Sequence, residues 1–265
     1  MLRVFTAFSG YDSQCLALNR IGINYDLIGW SEIDKYAIQA HNALFPQWAK
    51  RNYGDISKID WSQVPDFDLF TYSSPCQDFS QAGLQRGGEK GSGTRSSLLW
   101  ECERAIREKR PKYLLFENVK ALTSKKFINV FLQWEHTLER YGYANFAQVL
   151  NAKDYGVPQN RERVFMVSIL NGNPFSFQFP EPQKLKKRLI DVLEDDVDEK
   201  YYLHDVAIDT NGAQEGSCKN IGLLIGNGYE RRYEQTRRVY DPIGASPTIH
   251  TAQGGGTGIK IIVRD

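Results

Sequence analysis

The feature that most constrains this chain is an alternation. Between residues 2 and 170, short apolar runs recur, each followed by a turn and a segment whose apolar residues fall near helical spacing. The first run, from Leu2 to Phe8, breaks at Ser9-Gly10. Ser13 to Ile21 then carries helical periodicity and stops at Gly22. The pattern predicts strands at Tyr25–Trp30, Asp68–Tyr72 and Tyr113–Glu117. It predicts helices through about Ala43, from Leu98 to Glu108 and from Phe127 to Arg140. Ala144–Leu150 and Val164–Ile169 read as the last strands. Strands alternating with helices imply an α/β class fold, a doubly wound and mostly parallel sheet.

Length and composition set the frame. At 265 residues the chain suits one large domain, or a medium domain with a smaller one. An apolar share of 41% and a charged share of 25% are those of a globular chain with a sizeable core. The texture changes near residue 180, where Pro174, Pro180 and Pro182 precede the basic run Lys184-Leu-Lys-Lys-Arg188. We therefore read residues 1–180 as one domain and residues 181–265 as a smaller second module. No window approaches ~18 consecutive apolar residues, so no membrane span is expected. Met1-Leu2-Arg3-Val4-Phe5 runs directly into a core strand, which leaves no room for a signal peptide and implies a cytoplasmic protein. Net charge is +1, so any nucleic-acid face must come from local clustering. Such a cluster exists in Tyr229–Tyr240, where Arg231, Arg232, Arg237 and Arg238 accompany two acids. Four cysteines, Cys15, Cys76, Cys102 and Cys218, lie far apart, which argues against a structural metal site and leaves room for one reactive thiol.

Several residues fall where strands end. In a doubly wound sheet, ligands bind outside the carboxyl ends of the strands. Pro75-Cys76-Gln77 follows the Asp68–Tyr72 strand and precedes a loop containing Gly83, Gly87, Gly88, Gly91 and Gly93. Backbone N–H groups or cations there could favour the thiolate of Cys76; the bland alternative is a small buried hydrophobe. The glycines read as a mobile lid. Glu117-Asn118-Val119 ends another apolar strand, and its carboxylate can act as an acid or a helix-capping group. Arg161 and Arg163 share a face if they begin a strand, so both guanidiniums could aim at one anion or polar base edge. Phe8-Ser9-Gly10 resembles a nucleotide-binding first turn, and Glu32 has the position of a ribose-hydroxyl acid. Asp12 and Ser13 stand where further glycines would be, and a carboxylate beside a pyrophosphate is unfavourable. A cofactor without phosphates fits better.

Together these segments resemble the DNA (cytosine-5) methyltransferase family, of bacterial or phage type. Phe8-Ser9-Gly10, Glu32 and Gly54-Asp55-Ile56 resemble its cofactor motifs. Pro75-Cys76-Gln77 resembles its nucleophile motif, Glu117-Asn118-Val119 its base-holding motif, and Gln159-x-Arg161-x-Arg163 its paired-arginine motif. Arg238-Val-Tyr240, Ser246-Pro-Thr248-Ile249 and Gly254-Gly-Gly256 resemble its target-recognition loops.

The resemblance implies a Rossmann-like domain that binds S-adenosyl-L-methionine, with a smaller, incomplete target-recognition domain. Phe8, Gly10, Glu32, Asp55, Ile56, Pro75 and Leu98 would contact the cofactor. Cys76 would attack C6 of a cytosine flipped from duplex DNA, Glu117 would hold its N3 edge, and Arg161 and Arg163 would support the O2 side. Gln235, Arg237, Arg238 and Thr248 would meet DNA, with Arg238 reading a base and Gln235 filling the gap left by the cytosine. Two other readings are a tRNA-methylating enzyme of the same family and a non-catalytic DNA-binding remnant. The family's usual C-terminal helical and Gly-Asn motifs do not appear before Asp265. The expectation is weak cofactor binding and little turnover by residues 1–265 alone, with a second polypeptide as one way of completing the enzyme.

Overall fold

A computed structural model describes residues 1–74, 98–249 and 258–262. They form two compact units. One comprises Met1–Val149 and Arg163–Phe179, the other Leu150–Glu162 and Pro180–Asp265.

The first unit is built on β1 (Leu2–Ala7), α1 (Ser13–Arg20), β2 (Tyr25–Ser31), α2 (Lys35–Leu44), β3 (Leu69–Tyr72), α3 (Leu99–Lys109), β4 (Tyr113–Val119), α4 (Ile128–Arg140), β5 (Tyr143–Asn151) and β6 (Glu162–Leu170). The strand order is β2-β1-β3-β4-β6-β5. β1 pairs in parallel with β2 and β3, and β3 with β4; β6 alone of these pairings runs antiparallel to β4. β5 and β6 are joined without a crossover helix, and a direct return of that kind does not give a parallel pair. The sheet is thus parallel from β2 to β4 and reversed at β6.

Alternating side chains explain why the strands are apolar throughout. Val4 packs on one face of the sheet with Cys15, Leu27, Trp30 and Phe45, while Phe5 packs on the other with Trp61, Phe67 and Phe70. Trp134, from α4, is fully buried; its ring meets Trp100 and Tyr72, and its Nε1 donates to the Tyr72 hydroxyl at 3.2 Å. The first two helices begin on aspartate caps: Asp34 accepts from the backbone of Tyr36 and Ala37 at the head of α2.

The second unit carries a smaller sheet in the order β10-β9-β8-β7, from β7 (Ala207–Asp209), β8 (Asn220–Ile225), β9 (Arg238–Tyr240) and β10 (Lys260–Ile261). A single turn of helix, α5 (Glu234–Arg237), leads directly into β9. The buried cluster here is Leu224, Tyr229 and Val239, with Val206, Ile208, Ile221 and Ile262 packed around it. No helix among the described residues is long and apolar enough to cross a membrane.

Candidate active site

Register lines up the strand ends of the first unit. Ala7 pairs with Ser31 on β2 and with Tyr72 on β3, and Tyr72 pairs with Phe116 on β4. The next residues along, Phe8, Glu32, Ser73 and Glu117, therefore share the carboxyl edge of the sheet. β1 lies between β2 and β3, so chain order reverses there; this is where an open α/β sheet leaves a crevice for a ligand.

At the β1 end, the turn after the strand is tightly wound. Phe8 and Gly10 both have left-handed φ angles, 54° and 58°. A Cβ added to Gly10 would meet no atom within 4 Å, so there is open space above the turn. Glu32 sits beside it. Its Oε2 accepts from Gly10 N at 2.9 Å, and its Oε1 accepts from Ile33 N at 2.8 Å and Asp34 N at 2.9 Å. A carboxylate has about four lone-pair sites, so three N–H donors leave acceptor capacity on Oε2. Asn52 braces the next loop: its Oδ1 accepts from Glu32 N and Gly54 N, and its Nδ2 donates to Glu32 O. That loop carries Asp55, whose carboxylate accepts from both Ser57 N and Ser57 Oγ, which holds it below its usual range. Ile56 is buried in the core, and Leu98 is partly buried at the head of α3.

Asp12 does not occupy the ligand position the sequence suggested. It is fully buried with φ 67°, accepts from Thr6 Oγ1 at 2.9 Å and from Cys15 N, and lies 3.5 Å from His41 Nε2. Its carboxylate therefore caps α1 from inside, so it offers no repulsion to an anion in the crevice. The missing glycines are replaced by an inward cap.

At the β4 end, Glu117 is gripped on both oxygens. Ser73 Oγ donates to Oε2 at 2.6 Å, and Arg163 Nε lies 3.2 Å from Oε1. Arg163 arrives from β6, whose antiparallel register sets it opposite Val119. Asn118 is buried and its Nδ2 donates to Ser74 O and Ser74 Oγ. The structure thus brings Glu117 and Arg163 together, a pairing the sequence pattern does not state. Arg161 precedes β6, falls in the second unit, and donates its backbone N–H to Asn151 Oδ1 at 3.0 Å. Pro75, Cys76 and the glycines of 83–93 lie outside the described residues. The described cysteines are poor thiolates. Burial pushes the thiols of Cys15, Cys102 and Cys218 up.

In the second unit, Gln235 is exposed on α5 and Arg237 follows it partly buried. Arg238 pairs with Glu234 one helical turn back, through Nη2 at 2.8 Å and Nε at 3.2 Å, and this raises its already high pKa. Arg232 lies over the Tyr229 ring. Thr248 donates its hydroxyl to Asn160 O at 2.7 Å, fastening the 246–248 segment to the 158–160 loop. The Gly254–Gly256 run lies outside the described residues.

Sequence reasoning missed Ser73 and Asn52, neither of which carries a charge, and gave Asn118 only as part of the Glu117-Asn118-Val119 motif. Their signal was positional: each lies within a residue or two of a strand end or of a residue already singled out.

An open α/β sheet, parallel from β2 to β4 and reversed at β6, is the Rossmann-like methyltransferase fold. Solved structures share it. The S. pombe Dnmt2 methyltransferase superposes with a TM-score of 0.70 at 19% identity, covering 100% of this chain and 77% of that one. The Entamoeba histolytica methyltransferase EhMeth gives 0.65 at 20% identity over 77% of this chain and 63% of that one. The C-5 cytosine-specific DNA methylase model matches residues 2–257, and the chain belongs to that family. Similar proteins include the type II methyltransferase M2.ScrFI of Lactococcus lactis subsp. cremoris, 41% identical over 77% of this chain and 70% of that protein. The orphan methyltransferase M.Rho11sI of Bacillus phage rho11s is 34% identical over 97% of this chain and 59% of that protein. The orphan methyltransferase M.SssI of Spiroplasma monobiae is 40% identical over 83% and 57%. The chain thus spans 57% to 70% of the length of these three relatives. They lend no support to a second polypeptide.

The family depends on S-adenosylmethionine. The residues present fit that cofactor: there is open space over Gly10, and Glu32 keeps acceptor capacity beside it for a hydroxyl pair.

Proposed function

We propose that this protein methylates C5 of cytosine in duplex DNA. The observation that carries the reading is the pairing of Glu117 with Arg163 at the carboxyl edge, on the strand next to the one that leads into Cys76. Phe8, Gly10, Glu32, Asp55, Ile56, Pro75 and Leu98 would hold S-adenosylmethionine. When bound, it supplies an electrophilic methyl group.

The residues of the chain deal with the cytosine. C5 of a neutral cytosine is a weak nucleophile. Addition of the Cys76 thiolate to C6 pushes electron density onto C5 and N3, giving an enamine. Glu117 meets the N3 edge and can share a proton with it, which lowers the cost of that addition. Arg163 places positive charge next to Glu117, and Arg161 is assigned to the O2 side with it. Once C5 carries the methyl group, transfer of the C5 proton to water lets the C5–H electrons expel Cys76 as thiolate and restores the aromatic ring. A cytosine within a duplex cannot reach a strand-edge crevice, so the base is flipped out. Gln235, Arg237, Arg238 and Thr248 belong to the recognition surface. Arg238 reads a base edge after leaving Glu234, and Gln235 enters the gap in the duplex. Residues 1–180 are the catalytic domain and 181–265 the target-recognition domain in this reading, and the protein works in the cytoplasm.

The test is S-adenosylmethionine-dependent methyl incorporation into duplex DNA, compared between the unmodified protein and Cys76→Ser. The expected loss is at least about a thousandfold, the scale for removing a nucleophile. Retained transfer by Cys76→Ser contradicts the reading.

A further inference from the structure

Glu117 owes its orientation to two neighbours on two different strands. From the β6 side, Arg163 Nε approaches Oε1 at 3.2 Å. From the β3 side, Ser73 Oγ donates to Oε2 at 2.6 Å. The parallel pairing of Tyr72 with Phe116 explains the second contact, because it sets Ser73 and Glu117 side by side on the same face, one residue beyond the paired strands. A carboxylate held at one oxygen still swings about its last torsion. Held at both, by donors from opposite sides, its plane is fixed. A second stitch runs beside the first, from Asn118 Nδ2 to Ser74 O at 3.2 Å. Ser74 immediately precedes Pro75-Cys76 in the sequence.

We propose that Ser73 is a positioning residue that fixes the plane of the Glu117 carboxylate for the target cytosine, and this rests on the reading of Glu117 as the group that holds that base. Arg163 cannot do this alone. Its charge draws the carboxylate toward β6 but leaves Oε2 free to turn. The hydroxyl is suited to the second role because it is neutral: it aligns Oε2 without adding a second cation that would oppose proton sharing with the base. Being both donor and acceptor, it can stay bonded when Glu117 carries a proton.

The experiment is a double-mutant cycle on the full chain, read as the single-turnover rate of methyl transfer at saturating DNA and S-adenosylmethionine, with dissociation constants for both measured in parallel. Ser73→Ala should slow the step about tenfold, the scale of a small misplacement of a reacting group, with both dissociation constants unchanged. Ser73→Thr, which keeps the hydroxyl, should restore the rate. In a Glu117→Gln background, Ser73→Ala should cost nothing further. Should Ser73→Ala fail to fold, Ser73→Cys decides, since a thiol is a weak donor of similar size: a comparable slowing supports the proposal and an unchanged rate overturns it. An unchanged rate for Ser73→Ala, or an effect that simply adds to that of Glu117→Gln, overturns the role of Ser73 and leaves the methyltransferase reading standing. Methyl transfer by the unmodified chain to an atom other than cytosine C5 overturns that reading and the proposal with it.

Discussion

The two units of this molecule solve different problems. The first places chemistry by register: its paired strands run from four to nine residues, and its core is dense with rings from Phe5, Phe70, Tyr72, Phe116 and Trp134. Once Ala7, Ser31, Tyr72 and Phe116 are paired, the positions of Glu32, Ser73 and Glu117 follow from the sheet itself. The second unit places side chains by loops. Its strands are as short as two or three residues, and its buried cluster is Leu224, Tyr229 and Val239. The residues proposed for the chemistry, Arg161 apart, belong to the first unit, and those proposed to read DNA belong to the second. A bond-making step tolerates little displacement, whereas recognition of varied sequences needs replaceable loops.

The contrast can be broken most strongly at the cores. Trp134→Ala removes a fully buried ring that bridges Trp100 and Tyr72, and should cost about 3–5 kcal/mol of stability. Val239→Ala deletes two methyl groups from the smaller cluster and should cost about 1–2 kcal/mol. Urea unfolding of both variants checks the difference, and equal losses would erase the distinction drawn between the units.

Next in size comes the cofactor edge. Glu32→Ala removes the acceptor of three backbone N–H groups at the first turn. Hydrogen bonds to a charged group are worth about 1.5–3 kcal/mol, so S-adenosylmethionine affinity should fall about tenfold to a hundredfold by calorimetry. An unchanged affinity would remove Glu32 from the site.

The smallest effect belongs to the recognition unit. Arg238 is paired with Glu234 in the absence of DNA, and an exposed pair of this kind is worth about 0–1 kcal/mol. Glu234→Gln should therefore tighten DNA binding by up to about fivefold, as Arg238 no longer leaves a partner to reach a base. Weaker binding, measured by fluorescence anisotropy, would assign Glu234 itself to the interface.

Much of the first unit was legible in the sequence because its strands are long enough for apolar runs to stand out and are punctuated by turns. Glu32 and Glu117 were visible as charged residues ending such runs. Less was visible where a residue's role depends on a partner far along the chain. Ser73 and Glu117 are 44 residues apart and meet through strand pairing that no local pattern states. Asp12 was misread for a related reason. Beside a nucleotide-like turn, a carboxylate looks like a group facing the ligand. Its left-handed backbone instead turns it inward to Thr6 and the start of α1. The reversal at β6 left no periodic signature either, since parallel and antiparallel strands of a buried sheet have the same apolar runs. In the second unit, β7, β9 and β10 have two or three residues, too short for any period to register.

The central claim, that the Glu117 edge and Cys76 serve carbon methylation of cytosine in DNA, is tested most directly by identifying the product. Duplex DNA treated with the protein and methyl-labelled S-adenosylmethionine is digested to nucleosides, and the label is assigned by mass spectrometry. The account predicts that the label is found in 5-methylcytosine alone. Label on an exocyclic nitrogen of cytosine or adenine, or transfer to tRNA in place of duplex DNA, would contradict it.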